Sequence, residues 1–179
     1  APHTPSTPST SGSSTRIYAY GESAWNGLCA LPEDTDLVSI HDAARPFVTP
    51  DVIRATLSDA EACGSGVIST PVVDTIKQLD PLTGAVSTPD RALLRAVQTP
   101  QSFDYSRLMA AHRRAQREAM NVTDDAMIYE AAHGSVHLSQ APGAQQNIKL
   151  TTPEDFRRLG AQPEFRIGSG YDAHRLAAG

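Results

Sequence analysis

Two charged residues directly follow a predicted strand, at a position where α/β proteins bind ligands. The predicted strand over residues 36–41 has an apolar centre, and it is followed by Asp42 and, three residues later, by Arg45. Open α/β sheets bind ligands at the carboxyl ends of their strands. A carboxylate can coordinate Mg²⁺, and a guanidinium can form paired hydrogen bonds with a phosphate. The spacing predicts a metal-and-phosphate corner, and a structural ion pair is the alternative.

Other polar residues have types that suit phosphate binding. In an extended segment over 71–77, Thr75 and Lys77 would share one face, and the Thr75 hydroxyl could bind a phosphate oxygen. Lys149 lies between apolar residues in a predicted strand over 147–150, and its ammonium suits phosphate or the charge that develops in phosphoryl transfer. Arg91 could reach a neighbouring subunit from an arm. Solvated surface residues, and for Lys149 an edge-strand lysine, are the alternatives.

The surrounding sequence predicts helices that alternate with strands. Thr49 as N-cap and Pro50 at the first position begin a helix that Gly64 ends. A second helix over 104–120 has Leu108 and His112 on its inner face. This order predicts an α/β fold with a mostly parallel, Rossmann-like sheet covered by helices on both faces, and a β-arm near residues 80–89. Further helices are predicted over 21–31, from 123 to about 133 and from 152, and further strands over 66–70, 94–98 and 136–138.

Composition limits the class of protein. The chain has 179 residues and a formal charge of −5, which gives no sign of a nucleic-acid surface. No apolar run approaches the roughly 20 residues that span a bilayer, and no secretory signal opens the sequence. Cys29 and Cys63 have no metal-ligand spacing and are expected to be small buried hydrophobes of a reducing compartment. We therefore expect a cytoplasmic protein, with a disordered Ser/Thr/Pro-rich tail over residues 1–20.

The C-terminal residues contain a short pair of metal-ligating types. Asp172 and His174 are two residues apart, so on a strand they would project to the same side. Together they could supply two ligands to a divalent metal. A closed zinc site needs further ligands, so the pair alone is a weak indication.

Taken together, these segments resemble the 2-C-methyl-D-erythritol 4-phosphate cytidylyltransferases of the non-mevalonate isoprenoid pathway. The HDAARP block at 41–46 and the NIK block at 147–149 are the most specific matches. The other matching blocks are at 23–28, 71–77, 90–91, 98–101 and 123–126. Residues 166–175 resemble the start of 2-C-methyl-D-erythritol 2,4-cyclodiphosphate synthase, which some bacteria fuse behind the first enzyme. The resemblance implies a partial cytidylyltransferase domain over 21–162 and the start of a second domain over 166–179.

The resemblance also implies a reaction and roles for individual residues. The 4-phosphate of methylerythritol attacks the α-phosphate of CTP and releases pyrophosphate, with Mg²⁺ bridging phosphates. By resemblance Asp42 and Lys149 are catalytic, and Asp42 holds the Mg²⁺ and the ribose region. By the same resemblance, the methylerythritol phosphate is held by Arg45, Thr75 and Lys149. Ala43 and Ser23 lie near substrate, Ser23 beside the cytidine. The resemblance also implies a homodimer built from the arm, in which Arg91 and Thr99 reach into the partner's site. In the second family Asp172 and His174 bind a divalent metal, often Zn²⁺.

The chain departs from the family's pattern before the matching block at 23–28. The glycine-rich loop that clamps the triphosphate has no counterpart, and the Ser/Thr/Pro-rich tract stands in its place. Removal of preorganised charge donors costs orders of magnitude in rate, so the sequence predicts an impaired cytidylyltransferase. Two alternatives stay open: a non-catalytic, dimerising α/β remnant, and a nucleotidyltransferase for another sugar or polyol phosphate.

Overall fold

The computed structural model describes residues 21–158 and the backbone of residues 171–175. The predicted tail over residues 1–20 and the side chains of Asp172 and His174 lie outside the described residues. The helices are α1 Gly21–Cys29, α2 Pro50–Cys63, α3 Tyr105–Arg117, α4 Asp125–His133 and α5 Pro153–Arg158. The strands are β1 Leu37–Asp42, β2 Ser65–Pro71, β3 Gln78–Leu79, β4 Val86–Ser87, β5 Arg95–Asp104, β6 Leu138–Ser139 and β7 Tyr171–Arg175.

The central sheet has the strand order β6-β2-β5-β1-β7. β2 pairs with β6 in parallel, whereas β5 pairs antiparallel with both β1 and β2, and β7 pairs antiparallel with β1. Strands β1, β2 and β6 therefore share one direction, and β5 and β7 run the other way. The predicted α/β class is confirmed. The sheet is mixed rather than mostly parallel, because β5 is inserted between β1 and β2, which are parallel to each other. As a result the end of β1 lies beside the middle of β5, since Ile40 pairs with Gln101.

Helices cover both faces of the sheet, as predicted. Helices α1, α3 and α4 pack on one face around a core whose members include Leu28, Val38, Ile40, Val67, Phe103, Leu108 and Tyr129. On the other face α2 packs through Val52 against Ile68 of β2. The buried His112 of α3 shares a 2.9 Å hydrogen bond with Asp125 of α4, which ties these helices together.

Local capping explains the ends of α2. The Thr49 side chain accepts a hydrogen bond from the Val52 amide, and Gly64 follows the helix with a φ of 84°, in the left-handed region that favours glycine. Both ends were predicted from the sequence. The next glycine, Gly66, lies where β2 packs directly against the backbone of α2. A Cβ there would lie 2.1 Å from the carbonyl oxygen of Thr56, so this close approach requires a glycine.

Four predictions about the chain are corrected. Residues 147–150 form no strand; they follow a 3₁₀ turn at Ala144–Gln146 and run as irregular backbone. The strand predicted over 94–98 continues to Asp104, and the strand predicted over 136–138 is the short β6. Cys29 and Cys63 are exposed rather than buried, because each is the last residue of a helix that ends at the surface.

The β-arm is confirmed as a hairpin. Strands β3 and β4 pair antiparallel and form a two-stranded sheet apart from the central one. The carboxylate of Asp80 accepts hydrogen bonds from the amides of Leu82 and Thr83 and so shapes the turn. Within the described part of the chain, no helix is long and apolar enough to cross a membrane.

Candidate active site

The end of β1 forms a tight turn around the carboxylate of Asp42. The Arg45 amide donates a 2.8 Å hydrogen bond to the Asp42 carbonyl, and the Ala44 amide donates one of 3.0 Å to Asp42 Oδ1. The second carboxylate oxygen lies 2.5 Å from Nζ of Lys149. The structure thus brings together the two residues that the resemblance makes catalytic. The Asp42 side chain is 14% exposed and the Lys149 side chain is 40% exposed, so the pair is open to a ligand.

Thr99 and His41 support the turn through hydrogen bonds to its backbone. The Asp42 amide donates a 2.9 Å hydrogen bond to Thr99 Oγ1, which lies 3.1 Å from Nδ1 of His41. Nε2 of His41 lies 3.0 Å from the Arg45 carbonyl, which can only accept, so the neutral ring carries its proton on Nε2. The Thr99 hydroxyl then donates to Nδ1. His41, Thr99 and the turn form one connected network that fixes the direction of the Asp42 side chain.

Segment 147–150 is held to this network by contacts from both sides. Nδ2 of Asn147 donates to the Thr99 carbonyl at 2.7 Å and to Oε1 of Gln98 at 3.1 Å. Nη1 of Arg45 donates to the Asn147 carbonyl at 2.8 Å. In addition the amide of Leu150 donates to the Ala44 carbonyl at 2.8 Å. These long-range contacts place Lys149 opposite Asp42 without a strand.

The charges around Asp42 favour its ionised form. Partial burial acts to raise the pKa of Asp42, but the hydrogen bonds from Lys149 and from the Ala44 amide lower it. The positive charges of Lys149 and Arg45 lower it further, so the pKa of Asp42 lies below its ordinary value. Burial lowers the pKa of His41, against the raising influence of the Arg45 carbonyl and the Asp42 charge. At neutral pH the site therefore presents a carboxylate, a neutral imidazole and two cations.

The stability of the fold is expected to depend on pH through Asp42. A carboxyl whose pKa is lower in the folded state contributes stability above its unfolded pKa of about 3.9 and loses it as pH falls through the folded value. We therefore expect the free energy of unfolding in urea to fall from about pH 5 downward, and to fall less steeply in Lys149→Met. Equal slopes in Lys149→Met and in the unchanged chain would show that Lys149 does not stabilise the carboxylate.

Three other predicted site residues, Thr75, Arg91 and Ser23, lie on other segments of the chain and are exposed. Thr75 lies in the irregular segment after β2, and Ser23 lies on α1. Nη1 of Arg91 donates a 2.6 Å hydrogen bond to the Val73 carbonyl. Among the contacts within the described residues, none joins Thr75, Arg91 or Ser23 to the Asp42 carboxylate. Their substrate roles stay predictions, and so does the reach of Thr99 into a partner's site, since its hydroxyl bonds within its own chain.

The residues at the turn fit one kind of magnesium site. Within the described ranges, no group of three or more His, Cys, Asp or Glu side chains could hold a metal by itself. Mg²⁺, however, is commonly bound by one or two carboxylates together with substrate phosphates. Asp42 supplies one such carboxylate, ionised and partly exposed, and substrate phosphates would have to complete the site.

Sequence reasoning assigned no role to three residues of the network. His41 lies within the HDAARP block, Asn147 opens the NIK block, and Gln98 opens QTPQ. All three blocks match the family, so the presence of each residue in such a block was the available signal of a role. Apart from the bond of His41 to the Arg45 carbonyl, their contacts within the network join residues 48 to 102 positions apart, and no local pattern reveals such pairs.

The sequence of this chain matches one family of known proteins over most of its length. The family model IspD: 2-C-methyl-D-erythritol 4-phosphate cytidylyltransferase matches residues 10–162. The chain belongs to this family. The bifunctional enzyme IspD/IspF of Nitrobacter winogradskyi is 46% identical over 160 residues, which are 86% of this chain and 40% of that relative. A bifunctional enzyme IspD/IspF of Rhodopseudomonas palustris strain HaA2 has the same identity over 160 residues, 86% of this chain and 39% of its own length.

Solved structures agree with the assignment to the IspD family. The 2-C-methyl-D-erythritol 4-phosphate cytidylyltransferase of Thermus thermophilus matches with a TM-score of 0.65 and 31% identity, over 75% of this chain and 64% of its own. The 4-diphosphocytidyl-2C-methyl-D-erythritol synthase of Anaerococcus prevotii matches with a TM-score of 0.69 and 31% identity, over 82% of this chain and 65% of its own. This IspD-family chain spans about 40% of the length of the curated relatives it matches. The resemblance drawn from the HDAARP and NIK blocks is confirmed.

Proposed function

We propose that this IspD-family chain carries the acceptor side of a site that transfers a cytidylyl group from CTP to 2-C-methyl-D-erythritol 4-phosphate. The 2.5 Å pairing of Lys149 with Asp42 at the end of β1 is the observation that supports it most. It places a cation and a carboxylate at the sheet edge where α/β proteins bind ligands. Family membership supplies the chemistry of the two substrates.

In the proposed reaction, an oxygen of the acceptor phosphate attacks the α-phosphorus of CTP. The bond from that phosphorus to the bridging oxygen breaks, and pyrophosphate leaves with the bond's electron pair. Lys149 attracts the acceptor phosphate and offsets the charge that builds up as the phosphates approach. Arg45 adds positive charge beside it. The turn that His41 and Thr99 support keeps these groups in place, so that little reorganisation accompanies the transfer.

Asp42 is the residue that would hold Mg²⁺ in this site. When bound, the ion neutralises phosphate charge and orients the nucleotide. Asp42 also holds Lys149 in place through their ion pair. The proposal thus assigns the acceptor phosphate to Lys149 and Arg45, and one protein ligand of the metal to Asp42.

The test is CTP-dependent release of pyrophosphate in the presence of Mg²⁺. Release that requires 2-C-methyl-D-erythritol 4-phosphate is the expected result. Equal release with erythritol 4-phosphate or glycerol 3-phosphate would favour a nucleotidyltransferase of another substrate. No release at high enzyme concentration would contradict activity of this chain and favour the non-catalytic remnant.

We further propose that the chain forms a homodimer through the β3–β4 arm. Its apolar side chains face solvent: Leu79, Leu82 and Val86 are 63%, 94% and 62% exposed. Neighbouring exposed apolar residues of this size are typical of an interface. In sedimentation velocity we expect a dimer that the double variant Leu79→Glu, Leu82→Glu converts to a monomer. Met127→Glu, an exposed apolar position on α4, is the control and should leave the dimer intact; a monomeric parent chain would contradict the proposal.

A further inference from the structure

We propose that Asn147 is a positioning residue, whose buried side-chain amide sets the place of Lys149 relative to Asp42. The Asn147 side chain is fully buried, although the segment that contains it belongs to no strand. Its amide spans the gap to the middle of β5 by donating to Gln98 Oε1 and to the Thr99 carbonyl. The inference rests on the proposed function only for the catalytic consequence; the placement of Lys149 is tested separately.

The argument begins from what fixes Lys149. A lysine side chain has many rotamers, and ordering it costs conformational entropy. No strand ladder holds its backbone, so the neighbouring anchors must do so. Asn147 anchors the chain two residues before Lys149, and the Leu150 amide anchors it one residue after, through the Ala44 carbonyl. Lys149 therefore has a fixed backbone on both sides, from which its ammonium reaches Asp42.

The chemistry of the anchor requires an amide. Both partners of Asn147 Nδ2 are carbonyl oxygens, and the –NH₂ group supplies two donors from a single atom. An aspartate at this position would present only acceptors to the Thr99 carbonyl and would bury a charge. The Asn147 side-chain oxygen has no hydrogen-bond partner among the described residues. An acceptor left unsatisfied is unfavourable, which indicates that the donors are what this position needs.

Arg45 joins the same anchor to the Asp42 turn. Its Nη1 donates to the backbone carbonyl of Asn147, so that residue is bonded through both side chain and main chain. The middle of β5, the turn after β1 and segment 147–150 meet at this one residue. A loss of the amide should therefore release Lys149 from Asp42 while the sheet and helices remain.

The test reads the Lys149 ammonium directly, in the 179-residue chain, by proton–nitrogen NMR at low temperature and mildly acidic pH. An ammonium held against a carboxylate exchanges its protons slowly enough to be observed. We expect a Lys149 signal in the unchanged chain, its loss in Asn147→Ala and Asn147→Asp, and its retention in Gln145→Ala, an exposed neighbour. Asp42→Asn, which removes the partner, is the reference for a lost signal. Backbone amide signals of α2 and α3 report whether each variant stays folded.

If Asn147→Ala does not fold, Gln98→Leu removes one acceptor of the amide and should weaken the Lys149 signal in a folded chain. A Lys149 signal that persists in folded Asn147→Ala, or in Gln98→Leu at full intensity, would overturn the proposal. In the pyrophosphate assay the expected effect of Asn147→Ala is a fall in kcat of about 10- to 100-fold with an unchanged KM for CTP. A lost signal with unchanged kcat would keep the positioning role and contradict the proposed function of Lys149.

Discussion

Replacement of Asp42 by Asn is expected to lower the rate of CTP-dependent pyrophosphate release by about 10²- to 10³-fold. Asparagine keeps an oxygen that can accept the Ala44 amide hydrogen bond, so the turn after β1 survives. What it removes is the negative charge that holds Lys149 at 2.5 Å and that would bind Mg²⁺. The rate is measured at saturating CTP and methylerythritol phosphate, with far-UV circular dichroism as the check on folding.

The matched control is Asp51→Asn. Asp51 is an exposed carboxylate in the first turn of α2, where it pairs with Arg54 at 2.6 Å. A surface pair of this kind contributes little, so its loss should leave the rate within about twofold. Near-normal turnover in Asp42→Asn would refute the role of this carboxylate in the transfer.

Replacement of Phe103 by Ala is expected to destabilise the fold by about 3–5 kcal/mol. Phe103 is fully buried on β5, at the centre of the sheet between β1 and β2, and its ring lies 5.1 Å from that of Tyr129 on α4. Its loss removes apolar burial and leaves a cavity where the sheet meets the helices. Urea unfolding followed by circular dichroism measures the change.

Val97→Ala on the same strand is the control for Phe103→Ala. Val97 is 41% exposed, so its truncation should cost less than about 1 kcal/mol. Similar losses in the two variants would mean that the face of β5 toward α3 and α4 is not the core described here.

The sequence predicted those elements whose signals are local. Thr49 and Gly64 mark both ends of α2 because a cap and a left-handed glycine act within one turn of the helix. The periodicity of residues 104–120 likewise located the buried face of α3. The strand predicted over 147–150 was wrong, since this segment joins no ladder and is held instead by the Asn147 side chain and the Leu150 amide.

The candidate site was predicted in part for the same reason. Asp42 was recognised at the end of β1, and the family resemblance assigned Lys149 to the same site. Their ion pair, which spans 107 positions of sequence, was not predicted. The bond of Arg45 to the Asn147 carbonyl depends on how segment 147–150 returns to the sheet edge. Such contacts are set by tertiary packing, so local propensity could not reveal them.

The most direct test of an acceptor-phosphate site is calorimetric titration of the chain with 2-C-methyl-D-erythritol 4-phosphate. We predict binding that Lys149→Met weakens at least tenfold, whereas Arg54→Met, which removes an exposed cation paired with Asp51 on α2, leaves affinity unchanged. Binding that is absent, or equally strong in both variants, would contradict the account.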